Sequence, residues 1–265
     1  MSVSPAFVSQ LKALKLGKML DTLEVRLGQA RQGQLGYLEF LQLLLQDEIE
    51  RRRALSLTLR LQRASFEEPK TIEDFDFACL PALNPAAVRD LATGLFIEKR
   101  EHVLLYGPAG TGKTHLAQAL GHQACRMGRA VLFVKAAKLF RTLHAARADN
   151  SWEAEIRRCL APDLLIIDDF GLKPMTMTQA EDFYEIVAER HLRGSIVVTS
   201  NRPPADWLPL FPDPVMANSA LDRLAHNAHH LVMKGASYRQ RRRPQTQAML
   251  YTQPELTDAQ TDDIG

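Results

Sequence analysis

Cysteine is scarce: three in 265 residues, scattered at Cys79, Cys125 and Cys159. No pair has CxxC spacing, which argues against a structural zinc or a disulfide framework and suits buried, reduced thiols in a cytoplasmic protein. No apolar run reaches the ~18 residues of a membrane span. Residues 1–30 are amphipathic and carry acids, unlike a secretory signal. An excess of one charge is also missing. The net charge is only +2, so the total does not argue for nucleic acid. There is no internal repeat, no low-complexity tract, no helix-turn-helix or zinc-finger signature for base readout and no nucleophile-elbow pattern. His226, His229 and His230 lie close together, but no carboxylate or cysteine completes a metal set.

What is present is a body of ordinary globular composition, 46% apolar and 24% charged, enough for a sizeable core. Its positive charge is clustered. Lys12, Lys15, Lys18 and Arg51 to Arg53 load the N-terminal part, Lys135, Lys138, Arg141, Arg157 and Arg158 the middle, and Arg239 with Arg241 to Arg243 the end. Residues 246–265 are acidic and poor in apolar groups, and read as a disordered tail.

Apolar periodicity predicts a helix over residues 5–32, from Phe7 and Leu11 to Leu27 and Ala30. Gly33 and Gly36 break it. A second helix follows with Leu38, Leu41, Leu45 and Ile49 on one face. ALSLTLRL (54–61) alternates like a strand, but leucine and arginine favour helix and the segment continues a helical stretch. Residues 1–68 therefore read as an N-terminal helical domain for partner or DNA interaction, and the proline-bearing stretch around FEEPKTIEDFDF as a linker. Residues 69–245 read as the main body. There HVLLY, AVLFV, LLIID and SIVVTS alternate with helices, which predicts an α/β fold with a parallel sheet covered on both faces. Thr178 with Glu181 fits a capping box for a helix over 178–193.

HVLLYGPAGTGKTHLA runs strand, loop, helix. Gly107-Pro108-Ala109-Gly110-Thr111-Gly112-Lys113-Thr114 matches GxxxxGK[ST] in full, with His115 next. Glycines let the backbone approach a polyphosphate closely, and the loop amides and helix N-terminus point at the anion. Lys113 is placed to reach the terminal phosphates of ATP, and Thr114 to hold Mg²⁺ through its hydroxyl. LLIIDDF, residues 164–170, is a buried-strand run ending in two adjacent carboxylates. Asp168 suits Mg²⁺, and Asp169 suits a base that polarises the attacking water. Asn201, at the tip of SIVVTSN, could hydrogen-bond that water or the terminal phosphate. Phe75 and Phe77 could pack near adenine or simply in the core.

Taken together, GPAGTGKT, LLIIDDFG, VTSNRP, ALDRLAHNAH and KGASYR resemble AAA+ ATPases of the DnaC and IstB group, most closely the IstB-like helper ATPases of insertion-sequence transposition. TIEDFDF and SNRPPADW also look IstB-like, and the resemblance runs from Leu11 to about Arg243. It implies a five-stranded parallel-sheet P-loop AAA+ core with an N-terminal helical domain and a reduced or absent C-terminal lid. It implies ATP sites shared between neighbouring subunits, with Arg223 as the arginine finger reaching into the neighbour's site and Arg239 as a second arginine sensor. It further implies ATP-dependent homo-oligomers on duplex DNA with little sequence specificity, recruiting or activating a transposase.

Lys135, Lys138 and Arg141, just after the second strand, and Lys12, Lys15 and Lys18 are the candidate contacts to the DNA backbone. Three other readings stay open on the sequence: a DnaC-type loader of a replicative helicase, a P-loop kinase acting on a small molecule, and an ATP-switched DNA scaffold that scarcely hydrolyses.

Overall fold

A computed structural model describes residues 3–33 and 35–235. The acidic tail and Arg239 lie outside the described residues. The N-terminal part holds α1 (Pro5–Ala13), α2 (Leu20–Arg31) and α3 (Tyr37–Ala64). The body that follows runs α4 (Pro85–Ala92), α5 (Leu95–Glu98), β1 (His102–Tyr106), α6 (Lys113–Arg126), β2 (Val131–Lys135), α7 (Ala136–Ala148), α8 (Trp152–Leu160), β3 (Leu164–Phe170), α9 (Met177–Arg190), β4 (Ser195–Ser200), α10 (Pro214–His226) and β5 (Ala228–Val232).

The helix predicted over 5–32 is two helices. Lys15 takes a left-handed φ of 57°, and the chain restarts through a short 3-10 turn at Gly17–Met19. Periodicity missed the break because leucines continue through it. ALSLTLRL is helical, as its propensities require, and α3 runs unbroken through 28 residues. Leu38, Leu41, Leu45 and Ile49 do share a face, but that face is exposed. Leu44 and Glu48 point inward instead, where Leu44 meets Met19 and Leu23. Part of the N-terminal positive charge is spent internally: Glu48 holds Arg51 at 2.8 Å and Arg52 at 2.7 Å, and Arg26 pairs with Asp47 at 2.6 Å.

The five strands form one parallel sheet in the order β2-β3-β4-β1-β5. β3 and β4 are buried on both faces except at Asp169, which is why they read as continuous apolar runs. One face packs on α7 to α10 through Phe170, Phe183 and Trp207. The other packs on α6, α4 and the C-terminal half of α3 through Leu116, Leu120 and Ile166. Each fully buried Leu or Ile side chain contributes roughly 1.5–3 kcal/mol.

Two long-range devices lock this arrangement. Arg190, 1% exposed, donates to the carbonyls of Cys159, Leu160, Pro162, Asp163 and Ser195 and so ties the starts of β3 and β4 together. The stretch between α3 and α4, predicted as a linker, is packed: Phe75, Leu80 and Leu83 are buried in the core. The capping box of α9 sits at Thr176 and Gln179 rather than at Thr178 and Glu181, and the helix ends at Arg190. Gly171 and Pro174, before Thr176, set the chain turning two residues earlier than the apolar pattern suggested.

Among the described residues, no helix is long and apolar enough to cross a membrane, and no group of three or more metal-ligating side chains occurs. His229 lies 2.7 Å from the Glu101 carboxylate, and His230 packs edge-on against Tyr106. The three cysteines are unbridged and buried, and burial pushes the Cys125 and Cys159 thiols up to about 11.

Candidate functional site

At the C-terminal ends of the strands, where ligands bind in open α/β sheets, lies a cavity of about 630 Å³. Its floor is the loop between β1 and α6. Gly107, Gly110 and Gly112 all have left-handed φ, which glycine adopts without cost. At Gly107 the space is also closed, since a Cβ would lie 2.3 Å from the Met233 carbonyl oxygen. Gly112 caps α6, so the first turn of that helix lines the cavity, where helix amides favour an anion. Lys113 is buried and folds over the loop, donating to the carbonyls of Gly107 and Pro108 at 2.7 Å each.

The wall is the end of β3. Thr114 Oγ1 donates to Asp168 Oδ1 at 2.9 Å. From β4, the Thr199 hydroxyl donates to the same carboxylate oxygen at 2.5 Å and accepts the Asp169 amide at 2.9 Å. Burial pushes the Asp168 carboxyl above its ordinary range. The Thr199 hydroxyl opposes that shift, the Asp169 charge adds to it, and Thr114 and Lys135 oppose it. An anion this buried calls for a cation. Two hard oxygen donors, one hydroxyl and one carboxylate, beside a phosphate loop fit Mg²⁺. The register between β3 and β4 breaks after Ile167, and Asp169 takes a left-handed φ of 56°, a conformation that Asp tolerates better than most side chains. The irregularity brings Asp169 to the lining of the same cavity as Asp168 and Asn201.

The far wall comes from the segment between α3 and α4. Phe75 packs 5.4 Å from the His115 ring and against Gly112. His115 Nε2 lies 3.1 Å from the Thr71 carbonyl oxygen. Gln118 Oε1 accepts the amides of Glu67 and Glu68 at 3.0 and 3.1 Å.

The cavity thus brings together Ala109 to His115, Asp168, Asp169 and Asn201. Lys135 lines it too, ion-paired to Glu67 at 2.8 Å, and is set apart from Lys138 and Arg141, which line a shallow groove on α7 and α8. Arg223 lies elsewhere, on α10, donating to Ser219 and lying 5.5 Å over the Tyr184 ring. Lys12, Lys15 and Lys18 are exposed around α1, and Lys18 pairs with Asp21 at 3.6 Å. Sequence reasoning missed Thr199 and Gln118. Thr199 stands two residues before Asn201, and Gln118 one helical turn beyond Thr114, so strand and helix periods were the available signals.

With this geometry in place, comparison with known families is decisive: the description "IstB-like ATP binding protein" matches residues 9–246. The chain belongs to the IstB-like ATP-binding family. An insertion-sequence ATP-binding protein of Mycobacterium tuberculosis is 48% identical over 91% of this chain and 96% of its own length. The IS21 ATP-binding protein of Pseudomonas aeruginosa is 39% identical over 86% of each. Among solved structures, the helicase loader DnaC (TM-score 0.51, 20% identity) covers 64% of this chain and 97% of its own. The replication initiator DnaA bound to AMPPCP and single-stranded DNA (TM-score 0.54, 21% identity) covers 65% of this chain and 52% of its own. At these identities the structural likenesses show the fold alone, a P-loop core of the AAA+ type.

Proposed function

We propose that this IstB-like chain is a Mg²⁺-dependent ATPase that assembles as a homo-oligomer on duplex DNA and recruits or activates the transposase of an insertion sequence. The observation that carries the ATPase reading is the junction of Thr114, Asp168 and Asp169 at the mouth of the phosphate loop. The loop amides and the start of α6 bind the phosphates. Lys113 transfers its ammonium from the loop carbonyls to the terminal phosphates. Thr114 and Asp168 would hold Mg²⁺, which neutralises charge on the phosphoryl group. Asp169 accepts a proton from the attacking water, and Asn201 orients that water. Support for the transposition context comes from relatives named for insertion sequences.

Arg223 is absent from its own subunit's cavity, as a group acting on a neighbour's nucleotide must be. Lys138, Arg141, Lys12, Lys15 and Lys18 are the backbone-contacting cations of the DNA reading, in which residues 1–68 form the partner-facing arm and residues 69–245 the ATPase core. A neighbour of similar fold was solved with both AMPPCP and single-stranded DNA. The test is phosphate release from ATP by the purified chain with and without duplex DNA, alongside electron microscopy with a slowly hydrolysed ATP analogue. Turnover that needs Mg²⁺, with regular oligomers on the duplex, is expected. A monomer that ignores DNA and phosphorylates a small molecule would overturn the reading, as would a Lys113→Ala variant that binds ATP normally.

A further inference from the structure

Lys135 is a cation in the nucleotide cavity that the phosphate loop does not account for. It ends β2 in register with Asp168 on β3. Side chains alternate along a strand, so Lys135 shares the face of Val131 and Phe133, on which α6 packs. It therefore stands beside Asp168 over the phosphate loop. Lys138 and Arg141, by contrast, leave the first turns of α7 toward a separate groove. Its ammonium is held 2.8 Å from Glu67. That hydrogen bond raises its pKa, burial opposes the rise, and the charges of Glu67, Asp168 and Asp169 add to it. Both aspartates line the same cavity as Lys135.

We propose that Lys135 is a second phosphate-binding cation, which exchanges Glu67 for the terminal phosphate of a bound nucleoside triphosphate and so distinguishes triphosphate from diphosphate. This deepens the ATPase reading and rests on it. The charges make the case. Asp168 and Asp169 place two negative charges where the terminal phosphate must lie, the Mg²⁺ that Thr114 and Asp168 would hold offsets those two, and Lys113 is then the one further positive charge there. A triphosphate carries roughly one negative charge more than a diphosphate, located at that end. A lysine on the strand next to Asp168 is placed to offset it. The Lys135–Glu67 pair is about two-fifths exposed on both sides, a class of ion pair that gives way easily to a stronger anion.

Equilibrium titrations of the full chain with fluorescent ATP and ADP, at fixed ionic strength with Mg²⁺, test this. Lys135→Met is expected to weaken ATP about 10-fold while moving ADP by less than about 2-fold. Lys135→Arg keeps the charge and should restore most of the discrimination. Glu67→Gln releases the ammonium and should leave ATP binding as tight as in the wild type or tighter.

Equal loss for both nucleotides would make Lys135 merely structural and overturn the proposal. Unchanged nucleotide affinities would overturn it as well; if duplex DNA affinity and its salt dependence then fall, Lys135 is a DNA contact. A wild-type chain that binds neither nucleotide would overturn the ATPase reading itself, and this inference with it. Discrimination retained in Lys135→Met, with wild-type ATP binding intact, is the failure of this inference alone.

Discussion

Thr199 joins the two aspartates of β3: its hydroxyl donates to Asp168 Oδ1 at 2.5 Å and accepts the Asp169 amide at 2.9 Å. One buried side chain therefore fixes both the carboxylate assigned to the metal and the backbone that carries the assigned base. Removing the hydroxyl leaves the part-buried Asp169 amide without its acceptor, which costs on the order of 1 kcal/mol. Thr199→Val should therefore raise the Mg²⁺ concentration needed for half-maximal turnover, and Thr199→Ser should restore it. Magnesium titrations of ATPase rate check this. A Val variant with the wild-type magnesium requirement would remove Thr199 from the site.

Asp169→Asn should bind ATP with near wild-type affinity yet turn over some 10²–10⁴-fold more slowly, the usual worth of a positioned base. Single-turnover measurement separates binding from chemistry. Wild-type turnover would contradict the assignment, and loss of binding would point to a structural role.

Arg223→Ala should leave each subunit able to bind nucleotide and lose roughly 10³-fold or more in turnover, the scale of an arginine finger. Mixing it with Lys113→Ala should recover part of the activity, because each variant supplies what the other lacks. Additive, unrecovered loss on mixing would place Arg223 in a purely intramolecular role, such as its contacts with Ser219 and Tyr184.

His102 gives a pH signature of the fold. It is buried, and its Nδ1 accepts the Ile196 amide at 3.1 Å, which requires that nitrogen to be unprotonated. Burial, reinforced by the charges of Arg190 and His191, depresses its pKa to about 4 from 6.5. The unfolded chain then takes up this proton more readily than the folded one. The contribution is complete above pH 6.5 and falls away between 6.5 and 4, reaching about 2 kcal/mol lost near pH 5. Urea denaturation across this range should show that loss in the wild type. His102→Asn keeps an acceptor and removes the titration, so the slope in this window should shrink. An unchanged slope would assign the acid sensitivity to other groups.

The phosphate loop, the paired aspartates and the α/β class were legible because each is written in consecutive residues. A glycine-rich turn, a helix start and a buried strand depend on near neighbours. Even the helical fate of ALSLTLRL followed from propensity. The exposed face of α3 did not, because periodicity shows which residues share a face and is silent on what that face meets.

The amino-acid order alone determined that a polyphosphate cradle followed by a carboxylate pair would exist, since GPAGTGKT and LLIIDD shape themselves locally. Only the tertiary structure decided how the rest of the site closes. Thr199 reaches Asp168 across 31 positions, Gln118 anchors Glu67 across 51 and Thr114 meets Asp168 across 54. The same parallel register set Lys135 beside Asp168 and apart from the two cations that follow it in the chain. Such pairings depend on how strands and helices stack, and side-chain chemistry read along a line holds no record of which elements will lie side by side.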